Sequence, residues 1–322
     1  VPNSDAAVLD GGEIADRVDA SLVPGDTVAP EKQSASSAAK RALTGRFGSL
    51  VAILIAFFWT VPTFGLLVTS FRPEADIKSS GWWTFFANPN FTLENYQTVL
   101  FGAKSQGDLA SYFINSLVIT VPATLAPLLL ATMAAYAFSV LKWKGRDTVF
   151  VIVFALQIVP LQMALIPLLR VFSGTEVSKM FPFLSIWVAH TIFALPLAIF
   201  LLHNFMAEVP RELVEAAQVD GAGHVKTFIS VMLPLMIPAI ASFAIFQFLW
   251  VWNDLLVGLT FSGGMELTQP LTARLASMAG SRGQDWHLLT AGAFVSMIIP
   301  LGVFLTLQRY FVRGLMAGSV KG

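Results

Sequence analysis

Side chains able to do chemistry are few in this chain, and their spacing excludes more than it suggests. His190, His203, His224 and His287 show neither i,i+4 pairing nor an HExxH pattern, so no metal site is expected. Cysteine is absent, which removes disulfides, thiolate ligands and Cys nucleophiles. No Gly-Lys dipeptide occurs, so this chain holds no Walker-type phosphate loop. What remains are isolated polar groups inside apolar runs. Asp254 stands in WNDLL, where an intramembrane carboxylate would be functional by default. Counting about 20 residues onward from Pro234 instead places it near the outer interface of the membrane, in a capping or interface role, with a direct substrate contact as the alternative. Gln247 and Asn253 read as hydrogen-bonding links between helices, with pathway lining as the alternative. Gln157 and Gln162 bracket Pro160, where they either satisfy carbonyls released by a kink or line a pathway. His190, alone in its run, reads as a satisfied interhelical histidine before it reads as a proton relay.

The elements that must carry these groups follow from composition. The chain of 322 residues is 55% hydrophobic and only 12% charged, against about 25% charged in soluble domains. Net charge is zero, so no basic surface points to nucleic acid. Residues 1–46 are rich in Ala, Ser, Asp and Gly without periodicity, and read as a disordered tail. Six uncharged runs then follow, each of the length that crosses a bilayer: 47–71, a stretch within 109–141, 148–169, 181–203, about 235–254 and 286–308. Pro62, Pro122, Pro127, Pro160, Pro196 and Pro300 lie inside them and are expected as kinks. Lys and Arg flank the runs more heavily on one side, most sharply in the KWKGR turn at 142–146, which predicts both termini inside. The reading is an all-α integral membrane protein with six spans, N-in and C-in. The largest external loop, 72–108, carries Trp82, Trp83, Phe85 and Phe86 at headgroup level.

One stretch breaks the apolar pattern. Between the fourth and fifth runs lie Glu208, Arg211, Glu212, Glu215, Asp220 and Lys226, which would cost about 2.5–3.5 kcal/mol each at a helix centre. The segment therefore lies outside the hydrocarbon, on the cytoplasmic side. Pro210 suits a first helical position, RELVEAAQV a short helix, and Asp220-Gly221 its left-handed stop. HVKTFISVM reads as a second amphipathic helix with Val225, Phe228, Ile229 and Met232 on one face. Pro234 and Pro238 mark the return into the bilayer. The small Ala-Ala-Gly surface beside carboxylates suits close approach of another backbone, without naming a partner.

The order Glu215-Ala216-Ala217, Gly221, Val231, Leu233-Pro234 resembles the EAA loop of ABC-importer permeases, with Val231 where the pattern prefers Ile. Asp220-Gly221-Ala222 followed by Phe228 is similar to the carbohydrate-uptake branch. NFTLENYQTVL (90–100), FINSLVIT (113–120), WVWNDLLVGL (250–259) and QRYFVRGLMAGSVKG (308–322) resemble the maltose-type second permease. The resemblance covers about residues 47–322.

That resemblance implies a type I importer permease fold, domain 47–322, in the inner membrane of a prokaryote. Residues 215–234 would be a coupling helix docking on a cytoplasmic ATPase dimer, with Glu215 as polar anchor, Ala216 and Ala217 as the close-packing surface and Gly221 as the turn. Ala222, Phe228, Leu233 and Pro234 complete the loop, and Gly314–Gly322 would touch the ATPase. A single EAA loop implies a second permease subunit, and an extracytoplasmic sugar-binding protein would deliver di- or oligosaccharide. ATP would be bound by partners, so no cofactor and no catalysis are expected on this chain. Gln157, Gln162, Gln247 and Asn253 are the candidate pathway residues; Trp250 and Trp252 fit an aromatic belt or a sugar face. A permease for polyamine or phosphate is the nearest rival. A proton- or sodium-coupled carrier is the next, and it lacks mid-membrane ionisable residues beyond His190. A membrane-embedded enzyme ranks last, for want of convergent catalytic groups.

Overall fold

The computed structural model describes residues 35–102, 108–175, 180–263, 265–279 and 285–317. The chain divides into two compact units, residues 1–60 and 61–322. The described residues are helices joined by turns: α1 (Ala35–Ser70), α2 (Glu74–Ser79), α3 (Glu94–Phe101), α4 (Leu109–Ser139), α5 (Arg146–Ala155), α6 (Leu161–Phe172), α7 (Leu184–Ala207), α8 (Arg211–Val219), α9 (His224–Thr227), α10 (Leu233–Trp252), α11 (Leu256–Ser262), α12 (Leu271–Ala279) and α13 (Trp286–Ala317). Five helical segments are long and apolar enough to cross a membrane: Phe47–Ser70, Leu109–Ser139, Leu184–Ala207, His224–Trp252 and Trp286–Gln308.

The third expected span differs. Rather than one kinked helix over 148–169, α5 and a 3-10 turn at Leu156–Ile158 meet α6 at a bend of 102°. Pro160 has no N–H to offer the carbonyl of Leu156, and its ring clashes with that carbonyl in a continuous helix. Val159, held extended at ψ 118° before the proline, completes the break. The start of α1 differs too. Residues 35–46, expected as part of the tail, are helical, in keeping with the helix propensity of ASSAAKRAL. The tail over 1–34 and the terminus 318–322 lie outside the described residues.

Elsewhere prolines stay inside continuous helices, and at Pro122, Pro127 and Pro300 hydrogen bonds show how the released carbonyl is satisfied. A proline at position i leaves the carbonyl at i−4 without its helical donor, and hydrocarbon offers no water to replace it. Pro122 releases Val118, whose carbonyl accepts from Trp187 Nε1 of α7 at 2.9 Å. Pro127 releases Ala123, which accepts from Gln247 Nε2 of α10 at 3.2 Å. Pro300 releases Ser296, which accepts from Trp252 Nε1 at 3.0 Å. Each donor comes from a different helix from its acceptor, so backbone defects become ties across the bundle.

Around these ties the helices pack closely. α4 and α7 form the most extensive pair. Ala131 and Ala135 of α4 and Ala198 of α7 are fully buried in one core cluster, with Leu202, Met206, Met232 and Met236. Small residues there let backbones approach. A second cluster joins Ile119, Ala123, Ile186 and Ala189 to Val257 and Phe261, and a third joins Val99, Leu109, Trp252, Leu271 and Leu288.

The 72–95 segment is organised by one buried cation. Arg72, 3% exposed, donates to the carbonyls of Asp76 and Ser80 and to the hydroxyls of Ser80 and Thr84. Asn95 ties the same residue's carbonyl at 2.8 Å. Trp82 packs against Gly65, where an added Cβ would come within 2.7 Å of the indole nitrogen. Trp82, Trp83, Phe85 and Phe86 form edge-to-face contacts with one another and with Phe64.

Interhelical hydrogen bonds in membranes contribute about 0.6 kcal/mol on average, up to about 1.7. Trp252→Phe should therefore lower stability by more in the native background than in Pro300→Ala, where the alanine introduced supplies the missing backbone N–H. Thermal unfolding of the parent, the two single variants and the double variant should give a coupling energy of about 1 kcal/mol.

Candidate functional site

The polar segment between α7 and α10 has a defined local structure. α8 is closed by Gly221 at φ +79°, a conformation that costs other L-residues about 1–2 kcal/mol. Gly221 N–H donates to Gln218 O at 3.0 Å and Ala222 N–H to Ala217 O at 2.9 Å. These two bonds are the paired closure of a Schellman motif, with Ala217 and Ala222 facing each other across the turn. Val214 turns inward and packs on the first core cluster. Glu215, Ala216 and Val219 are exposed, Val219 at 86%. The helix thus has an anchored face and a free face, and the free face carries Glu215 and Ala216.

The second half returns to the bundle through an altered register. α9 begins after Gly223, and residues Phe228–Met232 form a π turn in which Leu233 N–H bonds Phe228 O. Pro234 follows at once and has no N–H for Ser230; the widened turn accommodates its ring. This shift splits the expected apolar face. Phe228 and Met232 point into the core, while Val225 and Ile229 are 74% and 55% exposed. Tyr136 of α4 joins the segment to the bundle, its Oη 3.3 Å from His224 O and its ring edge-on to Phe228 at 5.2 Å. Pro210 lies one residue ahead of α8 rather than inside it.

A second region lies where α6, α7 and α10 meet. A cavity of about 80 Å³ is lined by Gln157, His190, Phe243, Gln247 and Trp250, among others. An open cavity of about 810 Å³ is lined by Gln162, Phe246, Trp250, Asn253 and Asp254, among others. Both include Leu161, Phe246 and Trp250, so they adjoin. Asp254 Oδ2 accepts from Gly258 N–H at 2.8 Å, at the start of α11, and lies 3.8 Å from His190 Nε2. The Asp254 carbonyl accepts from Thr272 Oγ1 at 2.6 Å.

Residues 127–316 match the family of binding-protein-dependent transport system inner membrane components. The chain belongs to that family. The osmoprotective compounds uptake permease protein GgtD of Synechocystis sp. is 54% identical to this inner-membrane component over 84% of the chain and 91% of its own length. The alpha-glucoside transport system permease protein AglG of Rhizobium meliloti is 48% identical over 80% of the chain and 67% of its own length. A solved chain of a bacterial ABC transporter that imports the acidic polysaccharide alginate has the same fold, with TM-score 0.66 at 18% identity. That match covers 88% of this chain and 100% of the other.

Within this inner-membrane component, the four amide residues singled out from sequence all line the adjoining cavities. Gln247 is the one held as a link, on the carbonyl that Pro127 releases. Asn253 Nδ2 bonds back to Leu249 O at 2.8 Å. Gln157 and Gln162 satisfy no carbonyl of the broken span; neither side chain has a hydrogen-bond partner among the described residues. His190 is not isolated, since Asp254 faces it. That pairing had one sequence signal: an Asp four residues before Gly258 at a helix start invites a cap. Nothing in sequence spacing brings position 190 beside 254.

An added Cβ at Gly221 meets nothing within 4 Å, so substitution there acts through conformation alone. Gly221→Ala should speed exchange of the 221 and 222 amides about tenfold, and Gly221→Asn by less, because Asn tolerates the left-handed region. Hydrogen-exchange mass spectrometry checks that order.

Proposed function

We propose that this chain is one of two permease subunits of an ATP-driven importer for neutral di- or oligosaccharides, taking the energy of hydrolysis through residues 210–234. The observation that carries the coupling role is the two-faced α8. Val214 packs the helix on the bundle and the Schellman closure fixes its end, while Glu215 and Ala216 stay exposed in a small-residue surface that a protein cleft can approach closely. Tyr136 and the Phe228–Met232 turn connect that surface to α4 and α10. A pull on α8 would thereby tilt helices that line the cavities.

In this reading both termini are cytoplasmic, the bent α5–α6 pair completes six spans, and the chain lies in a prokaryotic inner membrane. An ATPase dimer docks on α8 and on the residues around 314–322, a homologous second permease completes the pathway, and an external binding protein delivers the sugar. The relative named for alpha-glucoside transport supports a sugar cargo. ATP is bound by the ATPase, and this chain is not an enzyme.

Ala216→Arg and Glu215→Ala should abolish sugar uptake in a deletion strain and prevent recovery of the ATPase with the permease in mild detergent, with membrane insertion unchanged. Normal transport by a Gly221→Arg variant would contradict the coupling assignment. Recovery of a transport-competent homomer would contradict the two-permease arrangement.

A further inference from the structure

The larger cavity holds polar groups whose hydrogen-bonding capacity is not used. Asp254 Oδ2 is taken by Gly258 and faced by His190, but Oδ1 has no partner among the described residues. The Gln162 side chain likewise has none, and Asn253 spends its N–H on Leu249 while its Oδ1 is left open. A carboxylate and two amides cannot be left facing hydrocarbon without a cost of several kcal/mol. This surface must therefore meet water or a hydrogen-bonding ligand. Beside these groups stands an aromatic platform. Phe246 and Trp250, one turn apart on α10, have ring centroids 5.7 Å apart at 41° and are 40% and 56% exposed. A volume of about 810 Å³ is within the range of small-molecule sites.

We infer that Trp250, Phe246, Asp254, Asn253 and Gln162 form a sugar-binding subsite on this subunit, selective for neutral pyranosides over acidic ones. The flat apolar face of a pyranose ring lies on Trp250, with Phe246 bounding it. Asp254 Oδ1 accepts from a sugar hydroxyl, as does Asn253 Oδ1, and the Gln162 amide donates to and accepts from the ring's edge. Neither Lys nor Arg is among the residues lining the cavity. A uronate would bring its carboxylate beside Asp254 without a compensating cation, and such like-charge placement disfavours the wrong ligand. Gly258 N–H holds Oδ2, and His190 faces the same oxygen from behind at 3.8 Å as a positioning residue, leaving Oδ1 for the cavity. The subsite rests on the sugar-importer reading, and the two fail in different ways.

The test uses the intact importer, recovered with its partner subunits and binding protein and reconstituted in liposomes. Radiolabelled trehalose, sucrose and maltose serve as neutral probes, a digalacturonate as the acidic probe and glycine betaine as a zwitterionic probe without hydroxyls. Trp250→Ala and Gln162→Leu should each slow uptake of the transported neutral sugar about tenfold or more, with Trp250→Phe largely restoring it. Asp254→Asn should narrow the preference for neutral over acidic sugar. Because Asp254 also caps α11, its variant counts only if the complex assembles and melts as the parent does; the two other variants leave that cap intact. Unchanged neutral-sugar uptake in both Trp250→Ala and Gln162→Leu overturns the subsite. Uptake of betaine in place of sugar, sensitive to Trp250→Ala, overturns its assigned chemistry. A parent complex that carries none of the neutral sugars overturns the importer reading instead.

Discussion

A backbone carbonyl that a proline releases inside an apolar bundle lacks both its helical donor and water, and at three such positions in this protein the donor comes from a neighbouring helix. Val118, Ala123 and Ser296 are the released carbonyls, and Trp187, Gln247 and Trp252 answer them. The constraint works in both directions. It lets the chain carry prolines inside its helices, and it ties together faces of α4, α7, α10 and α13. Trp187 and Gln247 both tie to α4, from the two helices that flank the polar segment in sequence.

At one proline the helix breaks instead. Pro160 opens the third span by 102°, and the break leaves Gln157 and Gln162 with unspent amides next to the α10 aromatics. Intact and broken prolines thus divide the bundle into a tied framework and a polar, open side. The cavities sit on that open side, and the segment carrying Glu215 and Ala216 leads directly into α10, which lines both of them.

Much of this was legible from residue types and spacing. Run lengths predicted six spans, and five of them are single helices long and apolar enough to cross a membrane. Asp220-Gly221 announced the left-handed stop seen at φ +79°. Other features depend on three-dimensional facts that no local pattern contains. Kink and break look alike in sequence: Pro122, Pro127 and Pro300 stay within helices tied to a neighbour, while Pro160 ends one. The face of HVKTFISVM was assigned from a 3.6-residue period, and the π turn before Pro234 shifts that period, sending Val225 and Ile229 outward. The hydrogen bond from Ala222 N–H to Ala217 O, which completes the Schellman closure, has no local sequence signal beyond the glycine between them. His190 and Asp254 are 64 positions apart by number, and only the packing of α7 against α11 brings them together.

In the proposed coupling, the outward face of α8 meets the ATPase while its inward face belongs to the bundle. Single cysteines at 214, 215, 216 and 219 in this naturally cysteine-free chain, cross-linked within the assembled complex in membranes, test it most directly. Cross-links from 215, 216 and 219 to the ATPase subunit, with none from 214, are the expected pattern. Cross-linking from 214, or from none of the four, would contradict it.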